Sequence, residues 1–127
     1  MRLWPIEMVV APEGNSQRLP NAQVRGQHRE CCALRGRGWG KRHSTVDYVF
    51  TYSPAELYAY HVQIMEEFKR RKLGKIDPLW KIAMHRGKRK APWMASKFGK
   101  PNGGYSEHDD VYLHECVENL KAKVNRQ

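Results

Sequence analysis

The chain has 127 residues, about the usual size of one compact domain and too short for two sizeable ones. Hydrophobic residues at 40% can bury one core, which excludes wholesale disorder, and no apolar run approaches the roughly 18 residues that a membrane span needs. Lys and Arg total 23 against 13 Asp and Glu, a net charge of +10, so polyanions, and nucleic acid first, are the partners to expect.

Residues 1–17 read as an extended or irregular arm, broken by Pro5, Pro12, Gly14 and Asn15. A first helix opens around Leu19-Pro20-Asn21 and runs through Val24, His28, Cys31 and Leu34. The glycines of Arg35-Gly36-Arg37-Gly38-Trp39-Gly40 stop it, and their alternation with Arg and Trp predicts a flexible turn rather than a nucleotide cradle. Val46 to Tyr52, β-branched and aromatic, is a short extended segment at most. Ser53-Pro54-Ala55-Glu56 is a capping box with proline at the first helical position. From there Leu57, Tyr60, His61, Ile64 and Phe68 recur at helical spacing until Gly74. Asp77-Pro78 starts a short helix through Leu79, Trp80, Ile82 and Ala83, and residues 86–104, rich in Lys, Gly and Pro, form a basic loop. Ser106 caps a last helix with Leu113, Cys116, Val117, Leu120 and Val124 on one face. Residues 1–127 therefore make one mostly-α domain of three main helices, an N-terminal arm and a basic loop.

Charge is unevenly spread. Residues 77–104 hold seven Lys or Arg and one Asp, whereas residues 105–127 hold three against five acids, so one face is basic and the last helix points elsewhere. Trp93 and Phe98 lie within the basic loop, and Trp39 lies among Arg35, Arg37, Lys41 and Arg42. Aromatics among cations suit phosphate contact with stacking on an unpaired base; the same pattern arises when the aromatics are core and the cations solvate a loop.

Gln27-His28-Arg29-Glu30 lies mid-helix. Arg25 and Arg29 share a face with Arg18 and Ala22, suited to a phosphate backbone. Glu30 lies about 100° round from Arg29, and a carboxylate there weakens a pure DNA-binding surface. Chemistry explains it, and an ordinary Glu–Arg surface pair explains it as well. Gly26, one turn earlier, costs the helix roughly 1 kcal/mol relative to Ala and leaves room for another backbone, such as the arm, to approach the carboxylate.

Met1-Arg2-Leu3-Trp4, Leu19-Pro20, the run from Gly26 to Gly36 and Trp39-Gly40-Lys41 resemble the endonuclease V type of pyrimidine-dimer DNA glycosylase, in its bacterial branch. His43 through Tyr52, Ser53-Pro54, Tyr58-Ala59-Tyr60-His61, Glu107-His108 and Tyr112-Leu113 carry the likeness further; residues 7–17 read as an insertion. The resemblance implies an endonuclease V-like fold and a DNA repair glycosylase with abasic-site lyase activity on damaged pyrimidines, pyrimidine dimers above all. The nucleophile it implies is the α-amino group of Met1, which forms an imine with the sugar, and Glu30 stands where the family's catalytic glutamate stands. Arg29 is its neighbouring arginine and Arg2 the arginine after the nucleophile. The phage enzyme's aromatic tail is missing, so Trp93, Phe98 or Tyr105 would have to substitute in recognising a dimer.

The expected DNA contacts are Arg2, Arg25, His28, Arg29, Lys41, Arg42, His43, Arg86, Lys88 and Arg89. His61, on the apolar side of its helix, reads as a core histidine. Six histidines and three cysteines show no zinc-ribbon spacing, so no structural metal is expected, and the glycosylase–lyase chemistry the resemblance implies needs neither metal nor organic cofactor. An odd cysteine count with Cys31 and Cys32 adjacent points to reduced thiols, and the opening Met1-Arg2-Leu3-Trp4-Pro5 lacks the pattern of a secretory signal. The expectation is a soluble cytoplasmic monomer, nucleoid-associated when bound to double-stranded damaged DNA, with no membrane and no obligatory protein partner. The competing reading is a non-catalytic basic module that binds DNA or RNA.

Overall fold

The computed structural model describes residues 2–37 and 46–125, without the side chains of Arg37, Val124 and Asn125. Met1, Trp39, Lys41, Arg42 and His43, all singled out above, lie outside the described residues. Among the described residues four α-helices carry the fold: α1 (Ile6–Val9), α2 (Asn21–Arg37), α3 (Pro54–Arg70) and α4 (Asp110–Asn125). Short 3₁₀ turns occupy Asp47–Thr51, Pro78–Lys81 and Ala95–Lys97. Among the described residues there is no strand, and no helix is long and apolar enough to cross a membrane. The mostly-α architecture expected from the sequence is the one observed.

Local chemistry departs from the sequence reading at five places. The arm is not wholly irregular: Ile6–Val9 form one helical turn, because Met8 and Val9 are buried on the core and the turn holds their backbone there. Residues 47–51 form a 3₁₀ turn rather than an extended segment, with Val46 and Val49 fully buried beneath it. Pro54 does open α3, but no capping box forms: the Ser53 side chain makes no cap hydrogen bond. Glu56 instead is buried and accepts the Asn102 N–H, tying the long loop to α3. α4 starts at Asp110 with Asp109 as its cap, whose Oδ1 accepts the Tyr112 N–H at 2.9 Å; Ser106 lies 2.7 Å from the Tyr52 hydroxyl instead. Finally, Gly36 belongs to α2 rather than to a turn. A Cβ there would sit 3.0 Å from the Arg86 carbonyl oxygen, so glycine lets the segment around Arg86 close on the helix.

α2 and α3 pack against each other, with the arm laid across them and α4 completing the core. Leu3, Trp4 and Leu19 of the arm region, Val24 and Leu34 of α2, Leu57 and Ile64 of α3, and Cys116 and Leu120 of α4 are all buried. Trp93 and Tyr105 are buried as well and Phe98 packs on the same core, so none of the three stands free to replace an aromatic tail. Arg71 and Glu67, both nearly inaccessible, pair at 2.7 Å near the end of α3. Arg71 also donates to the carbonyls of Leu19 and Val9, which anchors the far part of the arm.

Arg35 is fully buried, and all five of its N–H bonds find acceptors. Nε and Nη2 donate to the His85 carbonyl at 3.1 and 2.9 Å, Nη2 to Ile82 at 2.7 Å, and Nη1 to Trp80 at 2.8 Å and to His61 Nδ1 at 2.9 Å. A neutral His61 ring that accepts at Nδ1 carries its proton on Nε2, which points at His28 Nδ1, 2.9 Å away. His61 is the satisfied core histidine the sequence predicts.

Burial, reinforced by the Arg35 charge, pulls His61 down to about 2, and burial pulls His108 down to about 4. Both rings stay neutral in the fold and charge on unfolding. Their contribution is complete above the ordinary histidine value of about 6.5 and falls away as pH drops through it, by about 1.4 kcal/mol per pH unit for each ring until its folded value is reached. The expected result is a melting temperature that declines steadily from pH ~6.5 to ~4.5; a flat profile over that interval would contradict the assignment.

Candidate active site

Gln27 and Glu30 are three residues apart on α2 and share the face that meets the arm. Gln27 works as a two-sided clamp. Its Nε2 donates to the Arg2 carbonyl at 2.8 Å and its Oε1 accepts the Trp4 N–H at 2.9 Å. The buried Tyr60 hydroxyl of α3 lies 2.6 Å from the Trp4 carbonyl and 2.7 Å from Gln27 Oε1, sharing its one proton between them. From α4, the Tyr112 hydroxyl donates to the Leu3 carbonyl at 2.6 Å. Residues 2–4 are thus held by three helices at once.

This clamp brings Arg2 to the side of Glu30. The Arg2 guanidinium reaches α4, 3.4 Å from Glu115 Oε1 and 3.7 Å from Cys116 Sγ, and it lies over the Trp4 ring, 5.9 Å from the centroid. Lys123 Nζ sits 5.2 Å from the same ring centroid. Between these groups opens a cavity of about 360 Å³, lined by Arg2, Trp4, Gln23, Gly26, Gln27, Glu30, Asn119 and Lys123. Glu30 is only 8% exposed, and among the described residues its buried Oε1 has no hydrogen-bond donor; the same holds for Asn119 Oδ1. Nearly all buried acceptors in folded proteins are paired, so an unpaired oxygen on a carboxylate whose residue lines a cavity makes Glu30 a candidate for chemistry. Glu30 is therefore no surface partner of an arginine.

The other expected site residues are distributed unequally. Arg29 is exposed, its guanidinium 3.9 Å from where a Gly26 Cβ would stand, which puts it beside the cavity. That ordinary distance also corrects one expectation: the arm docks through Gln27 and does not need the missing side chain of Gly26. Arg25 is exposed and its Nε points to the Leu73 carbonyl at 3.5 Å. His28 turns away from the cavity toward His61 and Phe68. Arg86 is half-buried, donates to the Arg35 carbonyl at 3.1 Å and covers the Trp93 ring, so it serves the fold. Lys88 and Arg89 are exposed on the long loop. Trp4, Gln27, Asn119 and Lys123 were not singled out as site residues by sequence reasoning. A glutamine three residues before a suspected catalytic glutamate offered a signal; Asn119 offered none.

A second group of polar side chains lies between α2 and α3. Ligand atoms of His28, Cys32 and His61 fall within 4.8 Å of one another, close enough to hold an ion. The hydrogen bonds argue otherwise. Arg35 donates to His61 Nδ1, which leaves the proton on Nε2, the atom that would have to bind metal. Burial also pushes the Cys32 thiol up to about 12, against the thiolate a metal requires.

The family model of pyrimidine dimer DNA glycosylases matches residues 1–82. The chain belongs to that family. Neither the curated proteins nor the solved structures contain a match to it. Membership makes the chain a DNA repair glycosylase, with damaged DNA as its partner. The matched span includes Arg2, Gln27 and Glu30 but ends before Lys88, Arg89 and all of α4, so the Asn119 and Lys123 wall of the cavity lies outside it.

Gly26 offers a test of the cavity in this glycosylase. Gly26→Ala adds a methyl group to the cavity wall with no backbone clash. The variant should gain about 1 kcal/mol of helix stability, read as a higher melting temperature, while single-turnover base release falls. Base release at the wild-type rate would show that the substrate does not enter there.

Proposed function

We propose that the protein releases damaged pyrimidines, pyrimidine dimers first, and then cuts the strand as an abasic-site lyase, with the α-amine of Met1 as nucleophile and Glu30 as acid–base group. The observation that carries this reading is that Glu30, a buried carboxylate with one oxygen unpartnered among the described residues, lines a cavity whose wall includes Arg2. Residue 1 is bonded to Arg2, within about 3.8 Å of it from Cα to Cα, so the clamp on residues 2–4 limits where an α-amine can go.

The chemistry suits such a group. An imine-forming amine must be neutral, and an α-amine, with an ordinary pKa near 8 against about 10.4 for lysine, is neutral a few hundred times more often at pH 7. Its nitrogen forms a bond to the sugar C1′ as the C1′–N bond to the base breaks, and the base departs with the electron pair and a proton. The sugar ring opens, its oxygen taking a proton, and the amine loses its protons to give the imine. Glu30 then removes a C2′ proton, and the C3′–O bond breaks to release the strand. A carboxylate also stabilises the cationic character at C1′ that both glycosidic cleavage and the protonated imine develop. Arg2 and Arg29 beside the cavity, with exposed Arg25, Lys88 and Arg89, supply phosphate contacts that hold a distorted duplex.

Two experiments decide between this reading and a DNA- or RNA-binding module without chemistry. Borohydride should trap untagged protein on ultraviolet-irradiated and abasic duplexes, with the adduct mapped by mass spectrometry to residue 1, and an uncleaved N-terminal extension should abolish trapping. Glu30→Gln should lower strand cleavage by about 10²- to 10⁴-fold while duplex affinity stays equal or rises. Tight, salt-sensitive binding with no adduct on any duplex would leave only the binding module.

A further inference from the structure

Five of the seven residues from Lys69 to Lys75 are Lys or Arg. Arg71 is spent on the fold, paired with Glu67 and donating to the carbonyls of Leu19 and Val9. Lys72 is held differently. The Leu73 N–H bonds to the Phe68 carbonyl at 3.1 Å and the Lys72 N–H to the Lys69 carbonyl at 3.0 Å, the pair of bonds that closes a helix on a left-handed residue. Lys72 is that residue, with φ of 56°, and among the described residues it is the one non-glycine with positive φ. Glycine takes this position without strain, whereas a side chain costs folding energy there. Lys72 returns nothing to the fold, since it is exposed and makes no ion pair among the described residues. Strain that the fold does not use points to function.

Lys72 borders a groove of about 690 Å³ between the arm and the end of α3. Arg18, Arg70 and Lys72 line it beside Arg71 and Glu67, and Glu13 is its other carboxylate. Glu67 meets Arg70 through Oε1 and Arg71 through Oε2, so four cations stand against two carboxylates. The Arg70 side chain is still 61% exposed. Two contacts join this groove to the face of α2 that carries Arg25 and Arg29. Arg71 Nη1 lies 3.1 Å from Asn21 Oδ1 at the start of α2, and Arg25 Nε lies 3.5 Å from the Leu73 carbonyl. From Asn21 to Glu30 the helix rises about 13 Å, or about four nucleotides along one strand of a duplex.

We propose that this groove is a second DNA-binding site, in which Lys72, with Arg70 and Arg18, holds phosphates about four nucleotides from the lesion. This rests on the reading above that the lesion is met at Glu30. A chain of phosphates is the occupant, because the cations line an open groove that continues onto Arg25 and Arg29. The groove takes no part in the chemistry; it fixes the flanking duplex.

The test measures Kd of the full-length protein for an abasic duplex as salt is raised, with single-turnover strand cleavage at saturating protein. Lys72→Gly should have an equal or higher melting temperature, because glycine relieves the strain. Its affinity should nevertheless fall about five- to tenfold at about 0.1 M salt, and its salt slope should flatten by about one, with cleavage at saturation unchanged. Adding Arg70→Gln should flatten the slope by about one more. Trimming the duplex below about four nucleotides on one of the two sides should cost the wild type a similar factor and cost Lys72→Gly nothing further. Lys121→Gln removes the same charge from α4, where it pairs with exposed Glu118, and should leave the slope as it is. Wild-type affinity and slope in Lys72→Gly would overturn the inference, as would an equal loss from Lys121→Gln, which would make net charge the cause. Absence of any borohydride adduct would overturn the catalytic reading alone, since Kd and slope report binding without chemistry.

Discussion

The site depends on the clamp that Gln27 and Tyr60 place on residues 2–4. Backbone at the end of an arm is ordinarily free, and ordering it costs about 1–2 kcal/mol per residue. Here the Arg2 carbonyl, the Trp4 N–H and the Trp4 carbonyl are each met by a buried polar group, in a setting where an unmet group would be costly. Because Gln27 and Glu30 share one helix face, the residues that fix the arm also fix its distance from the carboxylate. Tyr112 of α4 completes the grip on the Leu3 carbonyl, and the same helix brings Asn119 and Lys123 to the opposite wall of the cavity.

A second buried polar device, Arg35, divides the cations into two classes. A guanidinium inside a core usually faces a carboxylate; this one is solvated by backbone carbonyls of residues 80–85 and by a neutral histidine. It fastens the segment that leads into the long loop onto α2, and the bare Gly36 backbone receives the Arg86 carbonyl beside it. Arg35, Arg71 and Arg86 therefore hold the chain to itself. The charge open to DNA, among the described residues, belongs to exposed side chains such as Arg25, Arg29, Lys88 and Arg89. A net charge of +10 thus overstates the field that a duplex meets.

Much of this was legible in the sequence, for physical reasons that differ by element. α2 and α3 announce themselves because proline opens each and their apolar residues recur at helical spacing. Glu30 drew notice because a carboxylate among arginines is costly on a DNA-binding surface, yet the pattern alone was explained as well by an ordinary pairing with an arginine; its burial is what the sequence did not show. What failed was every inference that needed a partner far along the chain. Ser53 and Glu56 have the spacing of a capping box, yet Glu56 goes to Asn102, forty-six residues on. His28 has the position of a DNA contact, yet His61 takes it. For Trp93 in its run of cations the sequence left a stacking platform and a core residue both open, because no local pattern separates them; it is core. Asn119 carries no motif at all; only the cavity gives it a meaning.

The sequence distances in the clamp also set when the site comes into being. Trp4 is held by Tyr60, Val9 by Arg71 and Leu3 by Tyr112, separations of 56, 62 and 109 residues. Contacts of such range close large loops and form late in folding. During synthesis the arm emerges first and waits until α4 has been made before its last anchor exists. A chain interrupted before residue 112 carries Arg2, Gln27 and Glu30 but lacks the Tyr112 anchor and the α4 wall of the cavity. The cavity is thus a property of the complete fold, since its walls come from both ends of the chain.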